Sequence, residues 1–363
     1  MESFLERLSG RTAASGQLAI ESLFVAHPSS LFFETDTTVL ITFVGEPTSV
    51  SIAGDANNWS PIAEPLTRLE GTTFWWRRLE YESDARLDYK LVLNGVTWIL
   101  DPANKRTSVG GFGPNSELRM PGYVDHPEIY EQPGIPRGTL VDTTVYSDGL
   151  GNERRIVLYL PPEYDRNRDS VGLIVVHDGI EFITLAGMPV ILDNLIAAGS
   201  IPPVIAVFIP PVDRSAEYAG ARMHDFGAFV SDEIVPGLAA RYRIKDDPAM
   251  RVVMGASNGG NISLFMAMRY PGLFRNVAAF SSNVVEDISA RFGRPPSLPL
   301  SIYLDIGRYD IPVLLPKVRS LVSELSDRGY SFKYNEFPEG HSWTNWKTHI
   351  DDALLFLLPR RDE

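Results

Sequence analysis

The segment Arg251-Val252-Val253-Met254-Gly255-Ala256-Ser257-Asn258-Gly259-Gly260-Asn261-Ile262-Ser263-Leu264-Phe265-Met266-Ala267-Met268 decides the reading of this chain. Four residues of strand character run into Gly-Ala-Ser-Asn-Gly, and apolar residues then recur at helical spacing. A serine between two glycines on a strand-to-helix turn reads as a nucleophile elbow. The turn is so tight that side chains at 255 and 259 are expected to collide with neighbouring backbone, which accounts for glycine at both. The hydroxyl of Ser257 is then left exposed at the top of a sheet. The following helix directs its free N–H groups and the positive end of its dipole toward developing negative charge.

Outward from this segment, apolar strand runs alternate with helical ones. Ile156–Leu160, Val171–Val176 and Val204–Ile209 read as strands, with helices near 184–198 and 225–241. Fully apolar strands alternating with helices predict a parallel sheet covered on both faces, an α/β domain. Toward the N-terminus the period changes to two in Val39–Phe43, Val50–Ala53, Phe74–Leu79 and Leu87–Leu93, the pattern of a small β-sandwich. Residues 3–26 carry Phe4, Leu5, Leu8, Leu18, Ile20, Leu23 and Phe24 at helical spacing, and Gly10 and Gly16 divide them into two expected short helices. The Pro- and Gly-rich stretch 111–136 reads as a linker, so two domains are expected, 1–130 and 131–363.

The chain has 363 residues with 44% hydrophobic and 22% charged, ample for a large core. A net charge of −13 repels phosphate backbones and anionic lipid, so neither nucleic acid nor a membrane is an expected partner. A small-molecule ester is, and a homo-oligomer stays open. With no cysteine, disulfides, thiolate metal sites and a thiol nucleophile are excluded. The start Met1-Glu2-Ser3-Phe4-Leu5-Glu6-Arg7 lacks the basic and apolar regions of a signal peptide, which leads to an expectation of a cytoplasmic protein. Neither metal nor other cofactor is expected, because no histidine or carboxylate cluster has metal-ligand spacing in the sequence.

A serine hydroxyl needs a base, and in folds with this elbow the chain order is Ser, acid, His. Only His341 and His349 follow Ser257, and His341 lies in Pro338-Glu339-Gly340-His341-Ser342-Trp343, a loop expected after a strand at 332–337. His341 is therefore the expected base, and His349 a surface or packing residue. Leu300–Leu304 reads as a strand leading into Asp305-Ile306-Gly307-Arg308-Tyr309-Asp310 as a loop, which makes Asp310 the expected acid, with Asp305, Asp287 and Glu339 as alternatives. The oxyanion is expected to be held by the N–H of Asn258 and by donors from His177-Asp178-Gly179-Ile180, where Gly179 and Ile180 are the candidates. On the residues alone, His177 and Asp178 serve to anchor that loop.

With these segments in hand, residues 137–363 resemble the esterase D-like branch of α/β-hydrolases, especially the enterochelin (ferric-enterobactin) esterases. Leu158-Tyr159-Leu160-Pro161-Pro162-Glu163-Tyr164 looks like the opening strand of that branch, and Asp178-Gly179 matches its oxyanion loop. Asp213-Arg214-Ser215-Ala216-Glu217-Tyr218 is similar to the family's Arg-x-x-Glu segment. The resemblance implies substrate contact for Arg214, and with it for Asp178 and Trp343; a structural pairing of Arg214 with Glu217 or Asp213 is the alternative. Gly54-Asp55-Ala56-Asn57-Asn58-Trp59-Ser60-Pro61 and Trp98-Ile99-Leu100-Asp101-Pro102 are similar to signatures of the immunoglobulin-like early-set sandwiches that precede such esterases.

The expected function is thus a serine carboxylesterase working through Ser257, His341 and Asp310. Two readings stand beside it: a feruloyl or acetyl-xylan type carbohydrate esterase with the same mechanism, and a non-catalytic glycan-binding protein.

Overall fold

In the computed structural model, which describes residues 13–166 and 169–358, the period-two runs form two antiparallel sheets. The strands are β1 (Leu31–Phe33), β2 (Thr38–Val44), β3 (Val50–Gly54), β4 (Glu64–Pro65), β5 (Thr67–Arg68), β6 (Phe74–Glu80), β7 (Arg86–Leu93), β8 (Thr97–Ile99), β9 (Thr107–Gly110) and β10 (Gly113–Arg119). One sheet is ordered β1-β2-β6-β5; in the other, β7 is flanked by β3 and by β10 and β8, with β4 on β3 and β9 on β10. Val39, Ile41 and Trp75 from the first meet Ile52, Leu87, Leu91 and Leu118 from the second in one core. Alternate inward positions on two facing sheets define the sandwich.

Two expectations change here. The stretch 111–136 is not all linker, since β10 lies within it and pairs with β7 from Ser116↔Tyr89 to Arg119↔Arg86. Its signal is weak because Ser116 and Glu117 occupy buried positions where apolar residues would reveal the period. Of the two short helices expected over 3–26, Phe4, Leu5 and Leu8 lie outside the described residues. The rest is one helix, Ala13–Ala26, with Gly16 inside it.

The later strands are β11 (Thr139–Ser147), β12 (Asn152–Leu160), β13 (Gly172–His177), β14 (Val204–Ile209), β15 (Arg251–Ala256), β16 (Asn276–Phe280), β17 (Ser301–Tyr309) and β18 (Ser331–Gly340). They are ordered β11-β12-β14-β13-β15-β16-β17-β18, and β14, β13, β15, β16 and β17 run parallel. Along β13, Leu173 and Val175 enter one core while Ile174 and Val176 enter the other, so both faces are covered and the strand reads as uninterrupted apolar residues. This is the α/β-hydrolase arrangement. The helix expected near 184–198 is two, Gly179–Thr184 and Met188–Ala197, and that near 225–241 runs Met223–Ala228, a π segment Phe229–Ile234, and Val235–Arg241.

The chain divides into two compact units, but not at a single point. Residues 13–125 are joined in the first unit by Gly307–Ile311 and Phe337–Ser342, the tips of β17 and β18 with the residues that follow; the second unit holds the remaining described residues. A division into 1–130 and 131–363 misses these two returns, because they are set by strand ends more than 200 positions from the sandwich sequence they join. Among the described residues, no helix is long and apolar enough to cross a membrane.

Candidate active site

Ser257 sits between β15 and the helix Asn258–Arg269 at φ 56°, ψ −120°. A non-glycine residue is strained in that region, and the surroundings hold it there. Its N–H donates to the Phe280 carbonyl at 2.8 Å, and its own carbonyl accepts from Asn283 N–H at 3.2 Å. A Cβ on Gly255 would lie 2.5 Å from the Gly259 carbonyl carbon and oxygen, so the close approach is backbone on backbone. At Gly259 the obstacle is different from the expected one: a Cβ would meet the Asp178 carboxylate, 2.8 Å from Oδ2.

Asp178 is buried, and the Arg214 guanidinium donates to it through Nε and Nη2, both at 2.7 Å. The same Nη2 reaches the carbonyl of Ala256, the residue before the serine, at 3.2 Å. Asp178 N–H donates to Tyr218 Oη at 2.9 Å. Burial raises the Asp178 carboxyl above its usual range, opposed by Arg214. The alternative pairing of Arg214 is corrected: Glu217 is taken by fully buried Arg154 at 2.8 Å, and Asp213 caps a helix by accepting from Ala216 N–H. Sequence spacing gave no sign of this, since Arg214 and Asp178 are 36 residues apart.

Gly179 and Ile180 open the helix Gly179–Thr184, where the first N–H groups have no acceptor within the helix. Glycine at 179 serves the approach to β14, because a Cβ there would lie 2.4 Å from Ile209 N and the Phe208 carbonyl carbon. Asn258 Oδ1 accepts from Asn283 Nδ2 at 2.9 Å, and Lys317 Nζ donates to Asn283 Oδ1 at 2.9 Å. Asn283, Tyr218 and Lys317 were not legible as site neighbours, because each comes from a different loop or helix. Trp343 packs edge-on to Phe182 and Trp346, with centroids 5.2 and 4.9 Å away. His177 is fully buried against the rings of Tyr218 and Phe226, and burial pulls its imidazole down to about 3.

The residues above lie in the second unit, whereas Asp310 and His341 lie in the first. There His341 Nδ1 is 2.7 Å from Asp310 Oδ1, which also accepts from Ile311 N–H at 2.6 Å. Both strands leading to them are longer than expected: β17 reaches Tyr309 and β18 reaches Gly340, so each residue directly follows a strand. Of the alternative acids, Glu339 faces Arg86, Asp305 is buried within β17, and Asp287 is in the first turn of the helix Glu286–Phe292.

The family model described as "Putative esterase" matches residues 147–357, more than half of the chain and including both the serine elbow and the His–Asp pair. The chain belongs to this esterase family. The esterase is a carboxylic ester hydrolase of enterochelin esterase-like architecture. It is 26% identical to the Iron(III) enterobactin esterase of Dickeya dadantii over 86% of this chain and 83% of that protein. It is 25% identical to the uncharacterized protein YjcH of Bacillus subtilis over 61% of this chain and 98% of that one. Its fold matches the crystal structure of the enterobactin esterase of Shigella flexneri in the presence of enterobactin, with TM-score 0.75, 20% identity, and 93% and 97% of the two chains covered. A ferulic acid esterase from Anaeromyces mucronatus matches 64% of this chain and 96% of its own, with TM-score 0.56 and 18% identity.

Elsewhere in the esterase, His349 is buried, with its ring 5.4 Å from that of His126. His126, Glu128 and Asp351 place one ligand-capable atom each within 4.8 Å of one another. Sequence spacing did not anticipate this group, whose members are brought together only by the fold.

Proposed function

We propose that the esterase works through Ser257 as nucleophile, His341 as general base and Asp310 as the acid that orients it. Ser257 Oγ bonds to the ester carbonyl carbon while its proton passes to His341 Nε2. The carbon–alkoxide bond then breaks, and the same proton goes to the leaving alcohol. Water, deprotonated by His341, cleaves the acyl-enzyme to acid and free serine. The N–H groups of Asn258 and of Gly179 or Ile180 serve the oxyanion. The observation that carries the reading is the strained φ of 56° at Ser257 on a strand-to-helix turn.

For substrate, we propose an ester of the enterobactin type. Support comes from coverage: the enterobactin esterases match both units of the chain, and the ferulic acid esterase matches only a length near that of the second. In this reading Arg214, Asp178 and Trp343 lie near the bound ester. Hydrolysis of an enterobactin-type trilactone, methyl ferulate and a series of p-nitrophenyl acyl esters tests it. A kcat/KM on the trilactone that exceeds the other two supports the reading, and a preference for methyl ferulate overturns it.

A further inference from the structure

We infer that the sandwich unit is a positioning scaffold for the acid–base pair, with Arg86, Asp55 and Glu82 fixing the tips of β17 and β18 so that Asp310 and His341 face each other. The inference rests on the proposed role of His341.

Glu339 is paired in register with Arg86 of β7, and its Oε2 lies 3.5 Å from Arg86 Nη1. Arg86 has no exposed surface and also holds Asp88 at 3.1 Å and Glu117 through Nε. One cation thus faces three carboxylates in a buried place, where an unpaired charge would be costly. The next residue, Gly340, presses on Asp55: a Cβ at 340 would be 2.0 Å from the Asp55 carboxylate carbon. That carboxylate is itself fixed by the N–H of Asp88 at 2.8 Å and by Trp59 Nε1 at 3.1 Å.

The other tip is held independently. Tyr309, adjacent to Asp310, donates through Oη to Glu82 Oε2, and Arg308 donates to Glu82 Oε1 at 3.2 Å. Tyr81 packs edge-on to Tyr309 with centroids 5.8 Å apart. The two tips also touch, since a Cβ on Gly307 would be 2.2 Å from the Glu339 carbonyl oxygen. Sandwich residues therefore hold the chain one and two positions before each member of the pair.

A role confined to sandwich stability is separated from positioning by Tyr309→Phe and Glu82→Gln, at half-buried sites, together with Glu339→Gln. For folded variants, kcat on p-nitrophenyl acetate is expected to fall by up to about 10²-fold with KM unchanged. The downfield proton resonance of His341 Nδ1–H is expected to broaden or shift in the same variants. Unchanged kcat and an intact resonance in folded Tyr309→Phe and Glu82→Gln overturn the inference. So does activity that falls only in proportion to the folded fraction, with the resonance intact. His341→Ala is run in parallel: if that variant keeps full activity, the role proposed for His341 is what fails.

Discussion

His341 Nδ1 lies 2.7 Å from Asp310 Oδ1. In the proposed mechanism that carboxylate takes the Nδ1 proton as a hydrogen bond, which leaves Nε2 with the lone pair that accepts the proton of the attacking hydroxyl. Asp310→Asn is expected to lower kcat by about 10²–10⁴-fold, because the amide can hold the wrong tautomer. Ser257→Ala and His341→Ala are each expected to abolish turnover, and their combination to cost little more than either one. Steady-state kinetics of the four variants provide the check; additive losses would contradict a shared role.

The elbow gives a test of backbone contact. Gly255→Ala would place a methyl 2.5 Å from the Gly259 carbonyl group, where neither partner is a flexible side chain. A loss of about 3 kcal/mol or more is expected, measured by denaturant unfolding. Retention of wild-type stability would show that the turn is looser than described.

Arg214→Lys is expected not to be conservative. Lysine offers one point charge where the guanidinium makes two parallel bonds to Asp178 and a third to Ala256. Leaving part of the buried carboxylate unsatisfied should cost about 1–3 kcal/mol. The expected result is a lower Tm together with a lower kcat/KM, since the carbonyl it releases belongs to Ala256, the residue before Ser257.

His177 predicts a pH dependence of stability. Burial holds its imidazole down to about 3, while in the unfolded chain it takes up a proton near pH 6.5. Between those values the unfolded state binds more protons, so stability contributed by the neutral ring is full above about pH 6.5 and is lost as the pH falls toward 3. At pH 5 the penalty is about 2 kcal/mol relative to pH 7.5. His177→Phe removes it, so the stability of wild type relative to that variant should fall by that amount on acidification. A constant difference across the range would refute the assignment.

Chelation separates a serine hydrolase from a metal-assisted one. The proposed triad needs no Lewis acid, and ester hydrolysis is expected to be unchanged in excess EDTA. Loss of activity restored by a divalent ion would direct attention to His126, Glu128 and Asp351.

How far the sequence could be read depended on range. The elbow was legible because strand, turn, serine and helix are contiguous, and the same locality exposes the reason for Gly255. The proposed order Ser257, Asp310, His341 rests only on position along the chain, and the structure pairs Asp310 with His341. What escaped was set by distant partners. Arg214 turns to Asp178 rather than to neighbouring Glu217, which Arg154 occupies. Strand β10 carries buried Ser116 and Glu117, whose burial is tolerated because Asp101 N–H and Arg86 bind them, and no apolar period reveals such a strand. Strands β17 and β18 extend past their apolar runs for the same reason: their ends are held by residues of the sandwich.

The bond from Tyr309 to Glu82 spans 227 positions of chain, which bears on how the enzyme is made. Synthesis delivers the N-terminal strands first, so Arg86 with its partners Asp88 and Glu117 exists long before Glu339 can join them. Contacts of such separation form late and slowly. A nascent chain that already displays the serine elbow therefore still lacks the tips of β17 and β18, and the contacts around Asp310 and His341 close only after the sandwich, the elbow and both of these strands have been made.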